Sequence, residues 1–288
     1  MENLVKDLIK RAARDLVNSK HSIALTGAGM STESGIPDFR GPDGIWTRHP
    51  EAEREAYEHY GELLRDPKTH WAKLLETTGI FSEFDKFGEY LPNPGHHALA
   101  QLEKLGILKL AITQNVDGLH QKAGCQNVIE YHGSMAKLRC MSCGSRYNRN
   151  EFDLQKLKRE GQLPPRCEKC SGVLKYDGVY FREPIPSDVA HQSLEEAWKC
   201  DLMLICGTSA VVYPFAELPR IARQKRIETQ RQTQTGLHFV EEIPAVTIIE
   251  INAEPTPLTY EKISDYLIQG RIGEVLPQIV DEVKQLKR

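Results

Sequence analysis

An apolar run, Ile23-Ala24-Leu25, passes directly into Gly27, Ala28 and Gly29. Residues this small let a chain leave a strand through a tight turn and bring backbone N–H groups close to an anion. A glycine-rich turn at the end of a strand is what a dinucleotide pyrophosphate requires. Two departures separate this turn from that of a dehydrogenase. Thr32 stands where the third glycine belongs, and no carboxylate closes a second strand about 20 residues on to hold the adenosine ribose. Asp38, Phe39 and Arg40 follow instead in one short loop. The stretch predicts a bound dinucleotide that is not used for hydride transfer.

The rest of the chain supplies the setting. Leu4, Leu8, Ala12 and Leu16 share one face of an N-terminal helix whose intervening residues are charged, unlike the apolar core of a signal peptide. Strand-length apolar runs recur at 107–113, 127–133, 201–209 and 245–252, and helical patterns at 96–106, 187–200, 214–226 and 272–287. Helices alternating with apolar strands predict an α/β fold with a parallel sheet covered on both faces. The motifs GAG, TQNVD, HG, GTS and IN each fall just past the C-terminal end of a predicted strand. In an open parallel sheet those ends form the ligand crevice.

Two segments differ in character. Residues 47–94 are polar, with helical spacing and seven aromatics (Tyr57, Tyr60, Trp71, Phe81, Phe84, Phe87, Tyr90), and read as a cover over the crevice. Residues 136–179 are basic and hold four cysteines, with one short helical run at 151–160. Cys140-x-x-Cys143 and Cys167-x-x-Cys170 each put two thiolates on one tight turn, and two such turns close a tetrahedral zinc site. The paired spacing favours a metal over disulfides or ordinary buried cysteines. Four sulfurs leave no position for water, so the predicted zinc is structural. Cys125, Cys200 and Cys206 read as core fillers. The polar stretch 228–242 reads as a loop.

The net charge of −3 does not favour nucleic-acid binding, and no apolar run is long enough to span a membrane. A cytoplasmic location is expected. His132, followed by Gly133, lies at the same sheet edge as Gln114, Asn115 and Asp117, and an imidazole titrating near neutral pH suits a general base. Asn115 and Asp117 suit a ribose and a carboxamide. Asp38 and Arg40 are cofactor candidates, or else pair with each other as a salt bridge. The remaining histidines, His21, His49, His59, His70, His96, His97, His120, His191 and His238, have weaker context and read as structural.

Taken together, these segments resemble the sirtuins, NAD-dependent protein lysine deacylases. The resemblance rests on residues 27–46 (GAGMSTESGIPDFRGPDGIW), 92–99 (PNPGHHAL), 113–124 (TQNVDGLHQKAG), 132–134 (HGS), the paired cysteine motifs, 207–214 (GTSAVVYP), 248–252 (IIEIN) and 265–280. It implies a Rossmann-like domain (1–46, 95–135 and 180–288) and a small domain of the cover (47–94) and a zinc module (136–179). NAD and an acyl-lysine protein or peptide would meet between them. The acyl oxygen would attack the ribose carbon as nicotinamide leaves, and His132 would activate the ribose hydroxyl that attacks next. Free lysine and O-acyl-ADP-ribose would result. Cofactor contacts fall on Gly27, Ala28, Gly29, Ser31, Glu33, Asp38, Phe39, Arg40, Trp46, Gln114, Asn115, Val116 and Asp117. Gly207, Thr208, Ser209, Asn252, Ala253, Glu254 and Ile272 complete the set. Substrate contacts fall on Val179, Tyr180, Phe181, Glu183, Val212 and Tyr213.

Two departures from the family bear on the substrate. Arg182 occupies the glycine of the family's valine-x-phenylalanine-glycine-glutamate run, where it would disfavour some substrates, attract acidic ones or point to solvent. The tyrosine-x-x-arginine pair that reads acidic acyl groups is not evident near HWAKLLE, which argues for acetyl or another neutral acyl group. ADP-ribosyl transfer, NAD hydrolysis and NAD sensing would use the same pocket.

Overall fold

The computed structural model describes residues 2–76, 88–224 and 246–288. Phe81, Phe84, Phe87 and the 228–242 stretch, with His238, lie outside the described residues. Six parallel strands form one sheet: β1 (Ser22–Thr26), β2 (Leu108–Thr113), β3 (Val128–Glu130), β7 (Leu202–Cys206), β8 (Thr247–Asn252) and β9 (Tyr266–Gln269). Their order is β3-β2-β1-β7-β8-β9, so the chain builds outward from β1 to one side and then resumes at β7 on the other. The reversal between β1 and β7 opens a crevice at the C-terminal edge.

Strand alternation sorts side chains between two cores. Ala24, Ala111, Leu204 and Ile249 face α1 (Glu2–Asn18), α4 (Pro94–Lys104) and α6 (Ile272–Leu286), meeting Leu16, Leu99 and Ile279. Ile23, Leu25, Met203 and Ile205 face the other way, onto Ala197 of α5 (Ser187–Lys199) and onto Phe215, Leu218 and Ala222. Burial on both faces makes the central strands apolar throughout instead of alternating with polar residues. Helix ends follow local chemistry. Asn93 accepts the N–H groups of Gly95 and His96 at 2.9 and 3.3 Å, Pro94 opens α4, and Gly106 with φ +73° lets the chain turn away.

A second, antiparallel sheet of order β5-β4-β6 is inserted between β3 and β7, from β4 (Lys137–Cys140), β5 (Arg146–Asn148) and β6 (Leu174–Tyr176). The sequence pattern predicts no strands here, and none at β9. Strands of three or four residues carry too little alternation to stand out, even where β4 and β5 pair as a local hairpin, Lys137 with Asn148. Residues 47–94, expected to be helical, contribute α2 (Pro50–Arg65) and α3 (Pro67–Leu74). Trp71 on α3 is fully buried against the small sheet and donates its indole N–H to the Leu174 carbonyl at 2.8 Å.

Gly133 marks the junction of the two sheets. Its φ is +75°, and an added Cβ would stand 2.2 Å from the Asp177 carbonyl oxygen. Gly161 has a similar φ of +71° with nothing within 4 Å of its Cβ position. Gly161→Ala is therefore expected to cost about 1 kcal/mol of unfolding free energy, from backbone strain alone. Gly133→Ala is expected to cost about 3 kcal/mol or more, because a backbone carbonyl cannot step aside. Urea denaturation of the two variants measures the difference.

Candidate active site

Five loops leave the C-terminal ends of β1, β2, β3, β7 and β8 and meet. After β1 the chain makes two short 3-10 turns, Ala28–Met30 and Thr32–Ser34, in place of the helix that follows a dehydrogenase's glycine turn. Gly27 N–H reaches the Cys206 carbonyl at 3.2 Å and Gly29 N–H the Gly207 carbonyl at 2.8 Å. A Cβ on Gly27 would meet Thr208 Cβ at 2.7 Å. The glycines thus allow two loop backbones to touch, beyond any approach to a ligand.

Ser31, buried at 1% exposure, organises the loop after β2. Its hydroxyl donates to Asp117 Oδ2 at 2.7 Å and accepts from Asn115 Nδ2 at 3.0 Å. Asp117 also accepts the Leu119 N–H at 2.9 Å. Burial nonetheless raises the Asp117 pKa, with those two donors acting in the opposite direction. Gln114 crosses to β7, donating from Nε2 to Thr208 Oγ1 at 2.7 Å, while its N–H donates to the Thr26 carbonyl at 3.0 Å.

His132 stands just past β3. Burial pushes its pKa down to about 4, below the near-neutral titration expected from the sequence, and the nearby Gln114 backbone acts in the opposite direction. The His132 carbonyl accepts Val179 N–H at 2.8 Å, which brings the 179–183 segment alongside.

An aromatic wall closes one side. Phe39 and Trp46 lie with centroids 4.8 Å apart, Trp46 and Phe181 5.6 Å apart, and Phe181 and Tyr57 4.4 Å apart. Arg40 stacks over Trp46 at 4.4 Å and pairs with Glu53 at 3.5 Å, while Asp38 accepts the Gly41 N–H at 2.9 Å. Each of the two has its own partner, which answers the alternative of a mutual salt bridge. Arg182 is exposed, with φ +67° and its guanidinium 5.6 Å from the Tyr57 centroid.

The other candidates divide between the crevice and its frame. Thr208 and Asn252 are buried beside one another, Asn252 Nδ2 lying 3.4 Å from the Thr208 carbonyl, whereas Ser209, Ala253 and Glu254 are exposed at the rim. Val116 accepts the Met135 N–H at 3.1 Å through its carbonyl. Glu33 accepts the Gly273 N–H at 2.9 Å, bracing the start of α6, whose first residue Ile272 is buried. Glu183 points inward and receives Arg139 Nη2 at 2.7 Å, Tyr180 N–H at 2.9 Å and Lys175 Nζ at 3.0 Å. Val212 is half-buried, and Tyr213 is 61% exposed.

Four residues close to the crevice lie outside the predicted site set. Asn93 donates from Nδ2 to the Met30 carbonyl at 2.8 Å and to Ser34 Oγ at 3.1 Å, holding the β1 loop from α4. Thr26 Oγ1 lies 2.9 Å from His120 Nε2, and the His120 and His96 rings are 5.0 Å apart, both buried. An Asn before Pro-Gly is a helix-cap signal, and that part was readable. The reach of its amide to the β1 loop was not.

In the small sheet, Cys140 and Cys170 Sγ are 3.5 Å apart, Cys143 and Cys167 Sγ 3.6 Å apart, and all four lie within 4.8 Å of one another. A tetrahedral zinc with bonds near 2.3 Å separates its sulfurs by about 3.8 Å, so the donor set fits. No helix among the described residues is long and apolar enough to cross a membrane.

A model of the Sir2 family matches residues 27–214. The chain is 41% identical over 287 residues to NAD-dependent protein deacylase 2 of Archaeoglobus fulgidus, covering 98% of this chain and 99% of that protein. A solved complex of a Sir2 homologue with NAD is similar at 36% identity and TM-score 0.72, covering 96% of this chain and 94% of that one. Sir2Af2 bound to a myristoylated histone peptide is similar at 36% identity and TM-score 0.65, covering 100% and 99%.

Burial holds the pKa of His70, His120 and His132 down to about 4 and that of His96 to about 3. The unfolded chain binds protons at these histidines below about pH 6.5, where the fold still excludes them. Stability should therefore be full above pH 6.5 and fall as pH drops toward 4, by about 2 kcal/mol per histidine at pH 5. Urea midpoints measured from pH 7 to pH 4.5 check the direction and steepness.

Proposed function

The chain belongs to the Sir2 family and is an NAD-dependent protein deacylase, and we propose that its chemistry runs from the crevice at the sheet's C-terminal edge with His132 as the base. NAD is the co-substrate and supplies the electrophilic ribose carbon, so the protein needs no nucleophile of its own. The side chains are left to bind, to orient and to move one proton. With the ring kept neutral by burial, His132 offers an imidazole nitrogen lone pair as the acceptor for the ribose hydroxyl proton.

In this reading Asn115 and Asp117 orient the ribose and the nicotinamide amide, and Ser31, which joins them, is a positioning residue. Gly27, Ala28 and Gly29 approach the pyrophosphate. Asp38, Phe39, Arg40, Trp46, Gln114 and Val116 line the nicotinamide end, and Gly207, Thr208, Ser209, Asn252, Ala253 and Glu254 the adenosine end. Glu33 and Ile272 support that pocket from the start of α6. Val179, Tyr180, Phe181, Val212 and Tyr213 flank an extended acyl-lysine peptide, with Glu183 anchoring their segment from inside. The absence of a tyrosine-x-x-arginine pair near residues 70–76 favours acetyl or another neutral acyl group.

The observation that carries this assignment is the convergence of five strand ends, with Ser31 linking Asn115 to Asp117 and the Gln114 N–H tied to the end of β1 at the Thr26 carbonyl. The domain division follows the two sheets, with 1–46, 95–135 and 180–288 as the NAD-binding unit, and 47–94 with 136–179 as the small unit. Cys140, Cys143, Cys167 and Cys170 hold one structural zinc ion, whose filled coordination sphere leaves no water to activate. Four cysteines held as thiolates suit a reducing, cytoplasmic setting.

His132→Ala is expected to keep NAD affinity within a few-fold while acetyl-peptide turnover falls by 10² or more. Calorimetry with NAD and mass spectrometry of the peptide measure the two effects separately. Full turnover in the variant overturns the role of His132, and a peptide that gains ADP-ribose while keeping its acetyl group overturns deacetylation. Removal of zinc by a chelator is expected to abolish the ordered β4–β6 sheet, with Trp71 fluorescence shifting to the red as its burial is lost. Unchanged fluorescence after complete zinc removal would refute the structural role.

A further inference from the structure

A second set of metal-type donors lies on the cover helices, apart from the cysteines. His59 and Glu62 are three residues apart and share a face of α2, and α3 returns His70 to the same place. One ligand atom from each of the three lies within 4.8 Å of the others. His59 Nδ1 is 3.8 Å and His70 Nδ1 is 3.9 Å from the same oxygen, Glu62 Oε2. Those separations are too long for hydrogen bonds, which need 2.7–3.2 Å between N and O. Yet two imidazole nitrogens converge on one carboxylate oxygen.

The outer atoms of the same residues hold this arrangement. Glu62 Oε1 accepts from Lys73 Nζ at 3.1 Å, which leaves Oε2 turned to the histidines. His70 Nε2 is 3.1 Å from the Tyr180 hydroxyl. An Nε2–H donated to that oxygen fixes the tautomer in which Nδ1 carries the lone pair, as outer partners do for metal-bound histidines. Side-chain exposures of 23% for His59 and 28% for Glu62 give access from solvent, while His70 at 2% forms the floor.

We propose that His59, Glu62 and His70 bind one divalent transition-metal ion of the zinc, cobalt or nickel kind, separate from the four-cysteine site. Two imidazoles and one carboxylate are the donors such ions select, and are poor in oxygen for magnesium or calcium. Tetrahedral bonds near 2.0–2.1 Å put ligand atoms about 3.4 Å apart, so each histidine–carboxylate separation must close by about half an ångström on binding. Three protein ligands leave a position for water. The ion bridges α2 to α3 and, through His70, braces Tyr180 in the segment beside His132.

The test adds cobalt(II) to the full chain with its cysteine site already filled by zinc. The wild type is expected to bind one further equivalent, with weak visible d–d absorption, no thiolate charge-transfer band and a raised Tm. His59→Ala and Glu62→Gln, each removing one donor, are expected to weaken binding at least tenfold, while NAD-dependent deacylation and the cobalt-free Tm persist. Absence of the further equivalent in the wild type overturns the site. So does wild-type affinity in both variants, or a thiolate charge-transfer band showing that cobalt has gone to the cysteines.

Discussion

The Gly29 N–H donating to the Gly207 carbonyl at 2.8 Å holds together the place where the sheet changes direction. On either side of that bond the backbones are so close that only glycine fits. A Cβ on Gly29 would stand 2.9 Å from the Gly207 oxygen, and one on Gly207 would stand 2.3 Å from Met30 N. Everything polar in the crevice is referred to this seam. Ser31 leaves it to reach Asn115 and Asp117, and Gln114 spans it to Thr208. A parallel sheet can be widened strand by strand, but its switch point occurs once, and the loops there must pass each other without side chains in the way.

The small sheet meets this frame through buried charge. Lys175 is 2% exposed, and its ammonium donates to the Tyr176 and Gly178 carbonyls at 2.8 and 2.7 Å and pairs with Glu183. Arg139 divides its guanidinium between Asp177 at 2.8 Å and Glu183 at 2.7 Å. Burying such a cluster is a weak source of stability, because desolvation consumes much of the Coulomb attraction. It is a strict constraint on position, since displacing residues 179–183 strands a charge. Arg182 lies outside that cluster, in a left-handed conformation costing about 1 kcal/mol. Its stacking on Tyr57 returns roughly half to all of that.

Burial also explains why the crevice histidines stay neutral. His132 lies with its ring 6.3 Å from that of Phe215, and His120 is packed with His96 beneath the loops. In such surroundings the charged form of an imidazole loses more hydration than neighbouring dipoles restore. For the base proposed at His132, neutrality in the resting state is the useful condition.

Much of this architecture could be read in the residues because it rests on local chemistry. Apolar runs flanked by helical periodicity specify the central strands and their covering helices, paired C-x-x-C turns specify a tetrahedral thiolate cluster, and glycines after β1 specify a tight turn. Polar motifs at five strand ends imply a shared edge, since parallel strands all point the same way. Other features depend on residues far apart in the chain meeting at particular distances. They include the pairing of β6 with β4 and of β9 with β8, Asn93 reaching back to the β1 loop, and Glu183 turned inward to Arg139 and Lys175. The neutral state of His132 belongs with them, because a pKa follows from the packing around a group and no single stretch of chain carries that packing.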